Sequence, residues 1–115
     1  MPKENRQYTR TQAKYSGNLT LDNRKVAYAV STDNLSKGGT LLLSENKLPV
    51  DSLIDLELFL KDKATPLRCK GKVKWTRPRD YVGKRAVTYY LGVEFIGMED
   101  TDKEVLESTM ESVLC

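Results

Sequence analysis

Cys69-Lys70-Gly71-Lys72-Val73-Lys74-Trp75 decides the fold. Lysine takes every second position, and small or apolar residues fill the places between. A helix would scatter these lysines around its circumference, whereas a strand puts them all on one face. The stretch therefore reads as a β-strand with one solvated and one buried face. Lys70, Lys72 and Lys74 form the solvated row. By parity Trp75 goes with Cys69 and Val73, so it is expected in the core.

The same period of two runs outward in both directions. Upstream, Ala13, Tyr15, Gly17, Leu19 and Leu21 alternate with polar positions, and Val26, Tyr28 and Val30 follow the turn pair Asp22-Asn23. Thr40-Leu41-Leu42-Leu43 is a short apolar strand, and Ile54, Leu56, Leu58 and Leu60 alternate through the next one. Turn residues at 62–66 separate it from the lysine strand. Downstream, residues 77–84 hold Pro78 and Gly83 and read as a long hairpin loop. Val87, Tyr89, Leu91, Val93 and Phe95 form the last strand. Only the tail changes period. Val105, Leu106, Thr109, Met110 and Val113 fall at helical spacing, behind a capping box in Thr101-Asp102-Lys103-Glu104. The expected class is all-β with a C-terminal helix: a six-stranded antiparallel β-barrel packed by one α-helix. The barrel unit covers residues 13–115, with the helix at about 101–114. Residues 1–12 have no hydrophobic periodicity and read as a flexible N-terminal arm.

A chain of 115 residues is one domain of ordinary size, able to bury a core without staples. Its net charge of +3 favours anionic partners mildly and is too small for a duplex nucleic-acid binder. Cys69 and Cys115 lack metal-site spacing and read as reduced thiols, which suits a cytoplasmic location. No apolar run reaches the length of a membrane span, so no membrane insertion is expected. Histidine is absent, which removes the commonest general base and the commonest zinc ligand. The glycine-rich phosphate loops of nucleotide hydrolases and dinucleotide-binding enzymes are absent too. A binding protein is expected rather than an enzyme, with no metal and no cofactor.

Two short stretches carry the functional signal. Arg6 and Arg10 stand four apart in Asn5-Arg6-Gln7-Tyr8-Thr9-Arg10, an R-x-x-x-R pattern. Asp33-Asn34-Leu35-Ser36-Lys37-Gly38-Gly39 contains N-x-S-x-x-G. Guanidinium forks suit phosphate and the Hoogsteen edge of guanine. The Asn34 amide and Ser36 hydroxyl offer donors and acceptors to a base edge, and Gly39 permits close backbone approach. Taken singly, the arginines suit a solvated arm and the second stretch a turn. Trp75 and Arg77 share a parity, and such a pair is able to stack on a purine, though core burial of Trp75 is the leading reading.

In this order, ahead of a strand-rich domain, the two patterns resemble the signature of the PilZ domain, the bacterial receptor module for cyclic di-GMP. Gly71-Lys72-Val73-Lys74-Trp75 resembles that family's G-x-V-x-W strand, and Leu91-Gly92-Val93-Glu94-Phe95 resembles its final G-V-x-F strand. A C-terminal helix follows, as in the family, and the likeness covers nearly the whole chain. The resemblance implies cyclic di-GMP as ligand, bound by Arg6, Arg10, Asn34, Ser36 and Gly39. Asp33, Gly38, Trp75 and Arg77 are candidates for secondary contacts. It also implies a bacterial cytoplasmic receptor acting on motility, attachment, polysaccharide production or virulence, through a protein partner that reads the ligand-altered arm. Gln7 stands where members often carry a second basic residue, so one phosphate contact is missing. Two other functions compete. One is an interaction module of the same fold that binds no nucleotide, against which both arginines count. The other is a small barrel for single-stranded nucleic acid, which needs exposed aromatics along a basic groove. Most tyrosines and phenylalanines here fall in inward registers.

Overall fold

The alternation in the sequence is the alternation of a barrel wall. The computed structural model describes residues 14–21, 27–60 and 66–114, with side chains through Met110. The arm with Arg6 and Arg10, Ala13, Val26, the turns at 22–23 and 62–65 and the Val113 side chain lie outside this description. Among the described residues there are six strands: β1 (Ser16–Leu21), β2 (Ala27–Leu35), β3 (Gly39–Ser44), β4 (Leu53–Leu58), β5 (Leu67–Val82) and β6 (Arg85–Gly97). One helix, α1 (Asp100–Leu114), follows. The strands close in the order β1-β2-β3-β6-β5-β4, each antiparallel to its neighbours. Closure gives each strand two partners along the wall and removes the sheet edge that would otherwise stand open.

The inward positions are those the period of two picks out. Leu19, Val30, Leu42, Ile54, Leu56, Leu58, Val73, Leu91 and Val93 are buried in one cluster. α1 adds Leu106 and Met110 to it. The helix is tied to β5 by the Arg68 amide, which donates to Asp102 Oδ1 at 3.2 Å. It starts at Asp100, so Thr101 lies inside it and does not cap it. The acidic residues of its first turn, Asp100 and Asp102, sit at the positive end of the helix dipole. Cys69 is a free buried thiol. Burial, with smaller contributions from Asp102 and Asp55, pushes its pKa up to about 12. It is therefore protonated and inert at neutral pH.

The lysine row is solvated, and β4 and the turn before it answer it with acids. Arg68 pairs with Glu57 at 3.0 Å, Lys70 with Asp55 at 3.1 Å and Lys72 with Asp51 at 3.6 Å. Exposed pairs of this kind contribute about 0–1 kcal/mol each. They help set the register between β4 and β5 more than they stabilise the fold.

Residues 77–84 are not a loop. β5 and β6 continue as a two-stranded ribbon to a two-residue turn at Gly83-Lys84. Gly83 has φ 62° at the first turn position, as a type II′ turn requires. β4 last pairs with β5 at Lys72 and the turn before β4 bonds to Val73, so the far side of β5 is a ladder edge beyond Val73. Proline is tolerated on an edge because the ladder needs no amide there. Bracing comes from Asp80, which accepts from Thr88 Oγ1 at 2.6 Å and pairs with Arg79. These two contacts, the Thr88 bond first, hold the Asp80 carboxyl below its ordinary pKa.

Leu56 is 1 % exposed at the centre of the core. Leu56→Ala is expected to lower unfolding stability by about 2–5 kcal/mol, as measured by urea denaturation.

Candidate functional site

The N-x-S-x-x-G stretch forms the connection between β2 and β3. An extra residue, Asp33, bulges from β2, because Thr32 faces Leu42 while Asn34 faces Leu41. Asn34 therefore lies on the strand and not in the loop. Its carbonyl accepts from the Thr40 hydroxyl at 2.6 Å. Ser36 is buried and organises the turn. Its hydroxyl accepts from the Gly38 and Gly39 amides at 3.3 and 3.2 Å and donates to the Gly39 carbonyl at 3.2 Å. A hydroxyl has one proton and two lone pairs. All three are engaged inside the loop, so Ser36 shapes the site from beneath.

Gly39 is needed for packing. A Cβ there would stand 2.2 Å from the Val93 carbonyl oxygen of β6. Its φ is not positive, so the glycine serves close strand approach and not a left-handed turn. The Phe95 amide donates to the Gly38 carbonyl at 2.9 Å, and Lys37 reaches Glu107 of α1 at 3.8 Å. The loop is thus held by both β6 and the helix.

Trp75 is outside the core, contrary to its expected place. Val73 faces Val93, yet Trp75 faces Gly92, so Lys74 is an inserted bulge residue. One extra residue reverses the parity of a strand. Trp75 is 40 % exposed, with its ring laid over Gly92. A Cβ on Gly92 would come within 2.2 Å of the indole. The Arg77 guanidinium lies 5.2 Å from the ring centroid. Ser36, Gly38, Gly39, Lys74, Trp75, Gly92 and Glu94 together line a shallow depression of about 230 Å³. The bulge therefore brings the loop expected to bind ligand and the Trp75–Arg77 pair toward one surface. Gly92, Lys74 and Glu94 were not singled out as site residues from sequence. A glycine in a strand beside an aromatic partner is the signal that points to Gly92.

The chain enters the barrel beside this surface. The Tyr15 amide donates to Thr32 Oγ1 at 2.8 Å, and the Thr32 amide donates to the Tyr15 carbonyl at 2.8 Å. Lys14 stands 4.0 Å from Asp33. Whatever precedes Lys14 thus starts within a few residues of Asn34. A larger cavity of about 870 Å³ lies elsewhere, between β4, β5 and the start of α1. Its charged walls pair with one another across Arg68–Glu57 and Lys70–Asp55, and its Cys69 is inert. Among the described residues no cluster suits a metal ion, and no helix is long and apolar enough to cross a membrane.

A family model for the PilZ domain matches residues 4–112. The chain belongs to the PilZ domain family. Among solved structures it is similar to the PilZ domain with c-di-GMP of YcgR from Escherichia coli. That match has TM-score 0.75 and 17 % identity over 96 % of this chain and 92 % of that one. It is also similar to the K. pneumonia MrkH–c-di-GMP complex, with TM-score 0.76 and 16 % identity over 96 % of this chain and 52 % of that one. The Bacillus subtilis inhibitor of motility, MotI/DgrA, matches with TM-score 0.73 and 15 % identity over 96 % and 52 % of the two chains. This PilZ domain thus spans about half the length of MrkH and MotI. No curated protein matches it by sequence.

Two outcomes test this geometry. Gly92→Ala should lift the indole off β6 and shift the emission of the single tryptophan, while far-UV circular dichroism stays that of the barrel. Ser36→Ala leaves two loop amides without an acceptor and should cost about 1–3 kcal/mol in urea denaturation.

Proposed function

We propose that this PilZ domain is a receptor for cyclic di-GMP and has no catalytic centre. One observation carries the reading. The N-x-S-x-x-G loop and the outward Trp75, whose ring carries Arg77, meet at one depression, close to where the N-terminal segment enters the barrel. Family membership and the relatives solved with c-di-GMP support it.

The depression alone is smaller than the usual 300–1,000 Å³ of a ligand pocket. The missing wall is the arm. Arg10 lies four residues before Lys14, which is roughly 14 Å of extended chain, enough to reach the loop. Arg6 and Arg10 clamp phosphate and the guanine Hoogsteen edge by charge-assisted forks. Asn34 reads the base. Ser36 holds the turn in shape, and Gly39 seats β3 on β6 beneath the ligand. The Trp75–Arg77 pair stacks on a purine. Asp33 anchors the base of the arm through Lys14, and Gly38 lines the surface beside Trp75. Residues 1–12 are loosely held without ligand and fold over it when bound. Ordering them gives a new surface that a protein partner reads in control of motility, attachment or polysaccharide production. The protein acts in the bacterial cytoplasm.

Calorimetry with cyclic di-GMP is the test, with a single-stranded oligonucleotide as comparison. Arg6→Ala and Arg10→Ala should each weaken binding roughly ten- to hundredfold, since a hydrogen bond to a charged group contributes about 1.5–3 kcal/mol. Lysine at either position should also bind poorly, because an ammonium lacks the fork. Arginine variants that bind as wild type would overturn the clamp. Absence of any heat from the wild type favours an interaction module that binds no nucleotide.

Hydrogen exchange reads the arm directly. Amides of residues 1–12 should gain protection on ligand saturation, because the segment cannot offset its ordering entropy by apolar burial. Equal protection in both states means a preformed arm and a switch elsewhere.

A further inference from the structure

Several cations of the barrel are paired with acids, whereas among the described residues those of the ribbon tip, like Lys74 and Arg77, are not. Lys14, Lys37, Lys70 and Lys72 each face a carboxylate within 4.0 Å. Among the described residues Lys84 and Arg85 have no acidic partner. The nearby acid, Asp80, is occupied by Arg79 and Thr88. Next to these free cations stand Tyr81 and Val82, 58 % and 70 % exposed. Val82 pairs with Arg85 across the turn and Tyr81 with Ala86, so apolar and cationic groups share one apex.

The apex is held away from the barrel. β3 begins to pair with β6 at Tyr89, so residues 79–88 bond only with one another along the ladder. Four extended residues carry the tip roughly 13 Å outward. The Asp80–Thr88 bond and the Arg79–Tyr90 contact, with Arg79 Nε donating to the phenol at 3.1 Å, stiffen the ribbon.

We propose that this tip docks on an anionic phospholipid surface. Tyr81 and Val82 enter the boundary between headgroups and acyl chains, and Lys84 and Arg85 meet lipid phosphates. A projecting apolar apex fits a bilayer better than a protein. Lipid yields around a convex tip, whereas a protein must offer a preformed pocket. Tyrosine suits the boundary, with an apolar ring and a polar end. Two cations and two apolar side chains make a weak, reversible contact. The docking is independent of nucleotide binding and involves no spanning segment.

Sedimentation of the full chain with vesicles tests it. Vesicles of equal parts phosphatidylcholine and phosphatidylglycerol should bind the protein roughly tenfold or more better than phosphatidylcholine alone, and salt should weaken the binding. The Lys84→Glu, Arg85→Glu double variant and Val82→Asp should each lose most of the bound fraction. Both should melt as wild type and keep their calorimetric response to cyclic di-GMP, since the altered side chains are exposed and outside that site. Equal binding to the two vesicle types, no binding to either, or tip variants that sediment as wild type overturn the proposal. So does capture by polyglutamate without capture by vesicles, which would mark an acidic protein surface as the target.

Discussion

β6 is approached closely at two neighbouring points, and both approaches depend on glycine. Gly39 brings β3 against the Val93 carbonyl, and Gly92 lets the Trp75 indole lie on the strand itself. A methyl group at either place would collide with backbone or ring. The first approach seats the Ser36 turn; the second gives the surface its aromatic face. The candidate site is therefore an outcome of strand spacing as much as of side-chain chemistry. Its polar groups sit where they do because β6 offers almost no steric relief along that stretch.

The stabilising contacts and the site contacts differ in kind. Leucines and valines fill the barrel, and paired charges line the β4–β5 wall. Among the described residues no ion pair lines the depression, and Leu41 and Val93 reach it from the barrel wall. Its loop is closed by hydrogen bonds within a few residues, its cation Lys74 has no ion pair among the described residues, and Arg77 lies over the Trp75 ring. Ser36 joins the two regimes. It is buried like a core residue, yet among the described residues its hydroxyl bonds only within the loop it supports.

Much of the fold was legible because a period of two leaves little freedom once one face is buried. Leu19, Val30, Leu56 and Val93 fall where alternation puts them. The terminal helix was legible from its change of period at Val105 and Leu106. Trp75 was not, because the bulge at Lys74 adds a residue without any turn-forming signature and inverts the strand beyond it. The ribbon was misread for a different reason. Pro78 excludes a central strand but not an edge, and a sequence does not say where a neighbouring strand will stop. At the site, Ser36 and Gly39 were found through the pattern that contains them, but their physical work was not. A hydroxyl that reads a base and a hydroxyl that braces a turn look alike in sequence.

Pro78 has one more consequence. A two-stranded ribbon standing off a closed barrel has bare ladder edges, the kind of template on which copies of a chain stack into fibrils. Proline deletes an amide from that template on β5, and the register slips flanking Asp80 interrupt its regular spacing. Arg79, Lys84 and Arg85 would also set like charges against each other in any stacked copy. Each of these features opposes edge-to-edge stacking of the exposed ribbon.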